Sequence, residues 1–150
     1  MPVPSTYTKL YYHLVFSTKE RRPLIETAWE EQLYAVIGGI IREHHGVLLA
    51  AGGMPDHVHL LVSCRPTVTL SSLLRDIKCN SSNWVHEQFT KDFAWQEGYS
   101  AFTVSHSGTP DVKEYIANQK EHHRKRDYKE ELLAMLKLNE VVFDERYLFD

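Results

Sequence analysis

The hydrophobic positions of this chain repeat with two different periods, and their order sketches a fold. KLYYHLVFST (9–18) is rich in β-branched and aromatic residues and runs into the polar KERRP, which predicts a strand followed by a loop. From Glu26 to His45 the residues Trp29, Leu33, Val36, Ile37, Ile40 and Ile41 recur three and four apart, the period of a helix, and Gly46 stops it. The internal Gly38-Gly39 pair costs roughly 1 kcal/mol per glycine relative to alanine, so close packing on a sheet is expected there. VLLAAGGM and HVHLLVSC flank the turn signal Pro55-Asp56 and predict an antiparallel hairpin. A second long helix is expected in TLSSLLRDIKCNSSNWVHEQF, with Thr69 as N-cap and Leu70, Leu73, Leu74, Ile77, Trp84 and Val85 at helical spacing.

A strand is expected over 99–105, and a third helix in GTPDVKEYIANQKEHHRK, with Thr109 as cap and Pro110 in the first position. The last stretch, 128–150, reads as a shorter helix carrying Leu132, Leu133 and Leu136, followed by an extended tail. Strand, helix, strand, strand, helix, strand is the order of a ferredoxin-like split βαβ domain. That α+β class has an antiparallel sheet with two helices on one face. The other face is then free for a ligand or for the third helix.

Length and composition agree with one domain over 1–150, since 150 residues at 43% hydrophobic can bury enough apolar surface to fold without staples. Cys64 and Cys79 have no CxxC neighbour, as expected of reduced thiols in a cytoplasmic protein. No run approaches the ~18 apolar residues of a membrane span, and MPVPSTYTKL lacks the pattern of a signal peptide. The expectation is a soluble, intracellular protein with no membrane partner. A net charge of −3 argues at first against nucleic acid, but six of the acidic residues lie in 130–150 against two basic ones, so the rest of the chain is slightly positive. KERR (19–22) and HHRKR (122–126) are local basic clusters. Arg21, Arg22, Arg75, Lys78, Arg124, Lys125 and Arg126 are the candidates for phosphate contacts. Trp84, Trp95, Tyr99 and Phe102 could stack on bases, although a core role is the simpler expectation for most of them.

The candidate chemistry begins in MPDHVHLLV. On a strand, residues two apart share a face, so His57 and His59 point one way while Val58, Leu60 and Val62 point the other, toward the core. Two imidazoles about 7 Å apart along the chain can reach one divalent ion. Taken alone, the pair also fits two polar residues on an exposed sheet face. In EYIANQ, Tyr115 and Gln119 stand four apart on one helical face beside the apolar Val112 and Ile116. If that helix crosses the open sheet face, Gln119 can offer a third, neutral oxygen and Tyr115 can stand beside a metal-bound phosphate. His13, His122 and His123 have ordinary structural roles available: His13 packing on its strand, the other two near a helix C-terminus.

In their order along the chain, YYHLVFSTKERRPLI, MPDHVHLLV, WQEGYSAFTVS and VKEYIANQKEHH resemble the HUH single-tyrosine transposases. That family includes small insertion-sequence transposases acting on single-stranded DNA and REP-associated tyrosine transposases. The resemblance covers nearly the whole chain. It implies His57 and His59 as metal ligands with Gln119 as the third, Tyr115 as nucleophile, and Mg²⁺ or Mn²⁺ as the ion. It also implies cleavage and rejoining of single-stranded DNA through a 5′-phosphotyrosine, on hairpin-containing element ends. A homodimer with active sites shared between chains is the implied assembly. Two other readings stay open on the residues alone: a hairpin-binding module that does not cut, and a metal phosphodiesterase that activates water.

Overall fold

The computed structural model describes residues 5–150. Four strands, β1 (Leu10–Ser17), β2 (Val47–Met54), β3 (His57–Cys64) and β4 (Ser100–Val104), form one sheet in the order β2-β3-β1-β4. Every neighbouring pair is antiparallel. α1 (Glu30–Glu43) joins β1 to β2, and α2 (Leu70–Gln88) joins β3 to β4. Strand order and connections are those of the ferredoxin-like split βαβ domain predicted from the sequence.

The alternation along the strands decides where the core lies. Leu14 and Phe16 of β1 and Val58, Leu60 and Val62 of β3 point to one face and are fully buried with Leu33, Ile37, Ile41, Leu73, Leu74 and Ile77 of α1 and α2. Each such side chain contributes about 1.5–3 kcal/mol, so this layer is the main source of stability. Gly38 lies against it, 3.5 Å from Leu48 as measured from an added Cβ, an ordinary contact that does not require glycine. Thr69 is the N-cap of α2, although its hydroxyl makes no capping bond.

The opposite sheet face carries Tyr11, His13, Val15 and Ser17 of β1 and His57, His59 and Leu61 of β3. It is closed: the third helix takes it, one of the two occupants the sequence allowed, and a later helix with the tail covers the rest. α3 (Thr109–Ala117) brings Ile116 onto Tyr11 and Leu61. α5 (Tyr128–Leu138) brings Tyr128, Leu132 and Leu136 onto Val15 and Phe102, and Leu148 and Phe149 of the tail pack against the same cluster. The predicted third helix is two pieces, α3 and a short α4 (Gln119–His122), which meet at Asn118. Thr109 lies one residue inside α3, whose N-cap is Gly108.

Gly52 of β2, paired with His59, is what lets α3 approach. A Cβ there would run into the backbone carbonyl of Ile116. Gly52→Ala is therefore expected to destabilise the protein by about 1–3 kcal/mol in urea unfolding, the usual cost of overpacking, and to push the neighbouring Tyr115 out of place. Unchanged stability would mean that α3 does not sit this close. Among the described residues, no helix is long and apolar enough to cross a membrane.

Candidate active site

His57 and His59 project from β3 toward α3, α4 and α5 and are fully buried. Their surroundings fix their protonation. Asp56, in the hairpin turn, lies 2.7 Å from His57 Nδ1, and a carboxylate can only accept, so Nδ1 carries the hydrogen. In the neutral ring the other nitrogen, Nε2, then presents a lone pair. It stands 3.1 Å from Gln119 Oε1 and 3.4 Å from Glu131 Oε1. His123 repeats this arrangement: Nδ1 donates to the Arg126 carbonyl at 2.9 Å, while Nε2 lies 3.1 Å from Gln119 Oε1 and 3.2 Å from Glu131 Oε1. His59 Nε2 is 2.9 Å from Glu131 Oε1, and its Nδ1 is 2.8 Å from His13 Nε2.

Lone pairs of His57, His123, Gln119 and Glu131 thus converge on one small volume. Acceptors do not stabilise one another, and only a proton or a metal cation resolves such a set. Cis ligands at about 2.1 Å from an octahedral ion stand about 3.0 Å apart, close to the separations seen here. Ligand atoms of His57, His59 and Glu131 all lie within 4.8 Å of one another. The residues fit a divalent ion, and the Asp56–His57 and His13–His59 contacts are the outer bonds that usually orient metal-binding imidazoles.

The electrostatics follow the same geometry. Burial alone would lift the Glu131 carboxyl, but His123, His57 and His59 bond to it and hold it far below the usual carboxylate range. Burial works against charge on His57, yet Asp56 and Glu131 outweigh it and raise its pKa. For His59 burial wins and the pKa falls. Burial and the neighbouring His59 push His13 down to about 3.

Tyr115 reaches this centre from α3. Its hydroxyl donates a short hydrogen bond to Glu131 Oε2, which also accepts from Gln119 Nε2 at 3.0 Å. Its ring lies 5.7 Å from that of His59 and 4.6 Å from that of His122. Burial and the Glu131 carboxylate raise its pKa above the ordinary phenol value, so the structure holds the tyrosine protonated.

His57, His59, Gln119 and Tyr115, the four residues singled out in the sequence, therefore meet within one chain. His13 and His123 join them, against the expectation that both were structural. Glu131 was missed altogether. A signal existed: Tyr128, Leu132 and Leu136 mark a buried stripe at helical spacing, and Glu131 lies on its edge, one turn after Tyr128.

The basic candidates scatter. Arg21 leans on Asp56 and Asp127, each at 3.8 Å, and over the Phe149 ring. Arg22 pairs with Asp92, Arg75 with Asp76 and Arg124 with Glu121. Lys78 is committed to the carbonyls of Gln96, Glu97 and Gly98, and burial lowers it to about 8. Lys125 and Arg126 are exposed beside the site, on the turn before α5. Of the aromatics, Trp95 and Phe102 are buried, Trp84 packs partly into the core, and Tyr99 is exposed.

A family model described as IS200-like transposase matches residues 6–119. The transposase for insertion sequence element IS200 of Salmonella typhimurium is 32% identical over 122 residues, covering 73% of this chain and 76% of that protein. The ISDra2 transposase TnpA of Deinococcus radiodurans is 25% identical over 118 residues, covering 74% of this chain and 84% of its own length. Among solved structures, a transposase from Deinococcus radiodurans superposes with a TM-score of 0.65 at 25% identity, covering 79% of this chain and 97% of that one. A REP-associated tyrosine transposase bound to a REP hairpin gives 0.60 at 19% identity over 82% of this chain and 74% of that one, a likeness of fold. With the matched segment running from the start of the sheet through both histidines to Tyr115 and Gln119, the chain belongs to the IS200-like transposase family.

Proposed function

We propose that this transposase cuts and rejoins single-stranded DNA at hairpin-containing ends, with Tyr115 as nucleophile and a divalent ion held by His57, His59 and Gln119. One observation carries the reading: the Tyr115 hydroxyl and the imidazoles of His57 and His59 converge through one carboxylate, Glu131. Two imidazoles with oxygen donors are compatible with Mn²⁺ or Mg²⁺, the ions the family resemblance implies, although imidazoles also favour zinc and nickel. Bound there, such an ion supplies Lewis-acid polarisation and positioning of the scissile phosphate.

The chain's own residues do the rest. Tyr115 Oη turns from Glu131 to the phosphorus; the Oη–P bond forms as the P–O3′ bond breaks. The phenol loses its proton, the departing 3′ oxygen gains one, and the DNA is left joined to Tyr115 through its 5′ phosphate. One phosphodiester replaces another, so no nucleoside triphosphate is consumed, and attack by a different 3′ hydroxyl reverses the step and joins strands. Asp56 and His13 hold the two imidazoles in orientation. Lys125 and Arg126, exposed on the turn before α5, are the basic residues proposed to meet the strand's phosphates.

Incubation with Mn²⁺ and a hairpin carrying a single-stranded 5′ flank is expected to yield a covalent protein–DNA adduct. Cutting without an adduct would favour activated water, and neither cutting nor adduct would favour a binding module.

We also read the site as complete in one chain, because Tyr115 bonds to Glu131 of its own chain, so a homodimer would hold two whole sites. Mixing a His57→Asn/His59→Asn chain with a Tyr115→Phe chain is then expected to restore no cleavage. Recovery would mean that α3 and its tyrosine cross between protomers, the shared arrangement implied by the resemblance.

A further inference from the structure

We propose that Glu131 is itself a ligand of the divalent ion, so that loading the metal and docking the C-terminal helix α5 are one equilibrium. The inference rests on the metal reading above and goes beyond its three ligands. Glu131 lies past Gln119, where the family match ends.

The carboxylate is almost wholly buried, yet no lysine or arginine pairs with it among the described residues. A buried carboxylate needs compensating positive charge. Its surroundings are imidazoles and an amide instead: Oε1 lies 2.9 Å from His59 Nε2, 3.2 Å from His123 Nε2 and 3.4 Å from His57 Nε2. Two of those nitrogens carry lone pairs in the neutral ring, since their Nδ1 hydrogens are given to Asp56 and to the Arg126 carbonyl. A divalent ion among these nitrogens, Gln119 Oε1 and Glu131 Oε1 would satisfy the converging acceptors and neutralise the carboxylate. Oε2 would keep its bonds to Tyr115 and Gln119. One side chain then spans ion and nucleophile.

The rest of α5 explains why this matters for the fold. It is joined to α4 by an exposed turn and held to the sheet by an apolar cluster around Val15, Phe102, Tyr128, Leu132 and Leu136. Tyr128 stacks on His57 at 4.1 Å with its hydroxyl buried and unpartnered. A metal–Glu131 bond would add a fixed point in the first turn of the helix.

The test titrates the full-length, metal-free protein with Mn²⁺ alone by calorimetry, comparing wild type with Glu131→Gln, and follows amide hydrogen exchange of 128–138 with and without Mn²⁺. Wild type is expected to bind one Mn²⁺ and Glu131→Gln to bind it at least about tenfold more weakly. Exchange in α5 of the wild type should slow at least about tenfold on loading. Glu131→Gln keeps the side-chain volume, and the wild-type exchange arm stands even if that variant folds poorly. Equal affinity of the two proteins, or binding that leaves α5 exchange unchanged, overturns the role of Glu131 and leaves the metal reading intact. No Mn²⁺ binding by wild type overturns both.

Discussion

Tyr115→Phe is expected to abolish covalent capture of DNA and to lower strand cleavage by several orders of magnitude, because the variant lacks the attacking atom. The substitution removes one oxygen and keeps the ring. The contacts of that ring with His59, His13 and His122 survive, and so does the helix that presents it. Glu131 Oε2 loses the tyrosine hydroxyl but keeps Gln119 Nε2, so no buried carboxylate oxygen is left without a partner. The stability cost should stay near that of one hydrogen bond, about 1 kcal/mol. Hairpin binding, measured by gel shift, should persist. The adduct to the fragment bearing the 5′ phosphate, seen as a band resistant to denaturation, should vanish. Exposed Tyr99 and buried Tyr128 remain as controls in the same chain. Cutting by Tyr115→Phe at near the wild-type rate would establish the water-activating reading and remove the tyrosine mechanism.

How much of this could be read from the sequence differs by element, for physical reasons. The sheet and its two core helices were legible because each presents one apolar face to the main core, which writes a period into the sequence: Val58, Leu60 and Val62 to that core, His57 and His59 to the opposite face. Tyr115 and Gln119 were legible because four-residue spacing puts both on one helical face, and the break at Asn118 left them together at Glu131. The third helix was foreseen on the second sheet face, but the rest of its closure was not legible. It depends on α5 and the tail folding back across the sheet, a tertiary event that local periodicity does not encode. Glu131 followed from that gap. In KEELLAML a glutamate before two leucines looks like a solvated position, and only the docked helix turns it inward. His123 was read as a helix-end residue for the same reason. The arginines proposed for phosphate contacts are spread over the surface, and Arg22, Arg75 and Arg124 pair with neighbouring acids.

Loss of the two β3 histidines should be as severe for chemistry as loss of the tyrosine, but the structure says how the experiment must be designed. His57 and His59 are fully buried, so alanine at either leaves a void and removes a partner from the Glu131 carboxylate. Leaving a buried charge short of partners is costly, up to about 3–5 kcal/mol when a pair is broken outright, and His123 and Gln119 would offset only part of it. An alanine variant could thus lose activity simply by loosening α5. His57→Asn and His59→Asn keep a polar group in the space and serve as the paired comparison. If the histidines hold the ion, all four single variants should lose Mn²⁺-dependent cleavage by at least about a thousandfold while the asparagine variants unfold near the wild-type urea midpoint. Hairpin binding should survive in the asparagine variants, since the phosphate contacts proposed for exposed residues such as Lys125 and Arg126 do not pass through the ion. Calorimetric Mn²⁺ binding should disappear together with cleavage. A folded His57→Asn/His59→Asn double variant that cuts at the wild-type rate would remove the metal centre from the mechanism, and the convergence of lone pairs around Glu131 would then have to be resolved by protons alone.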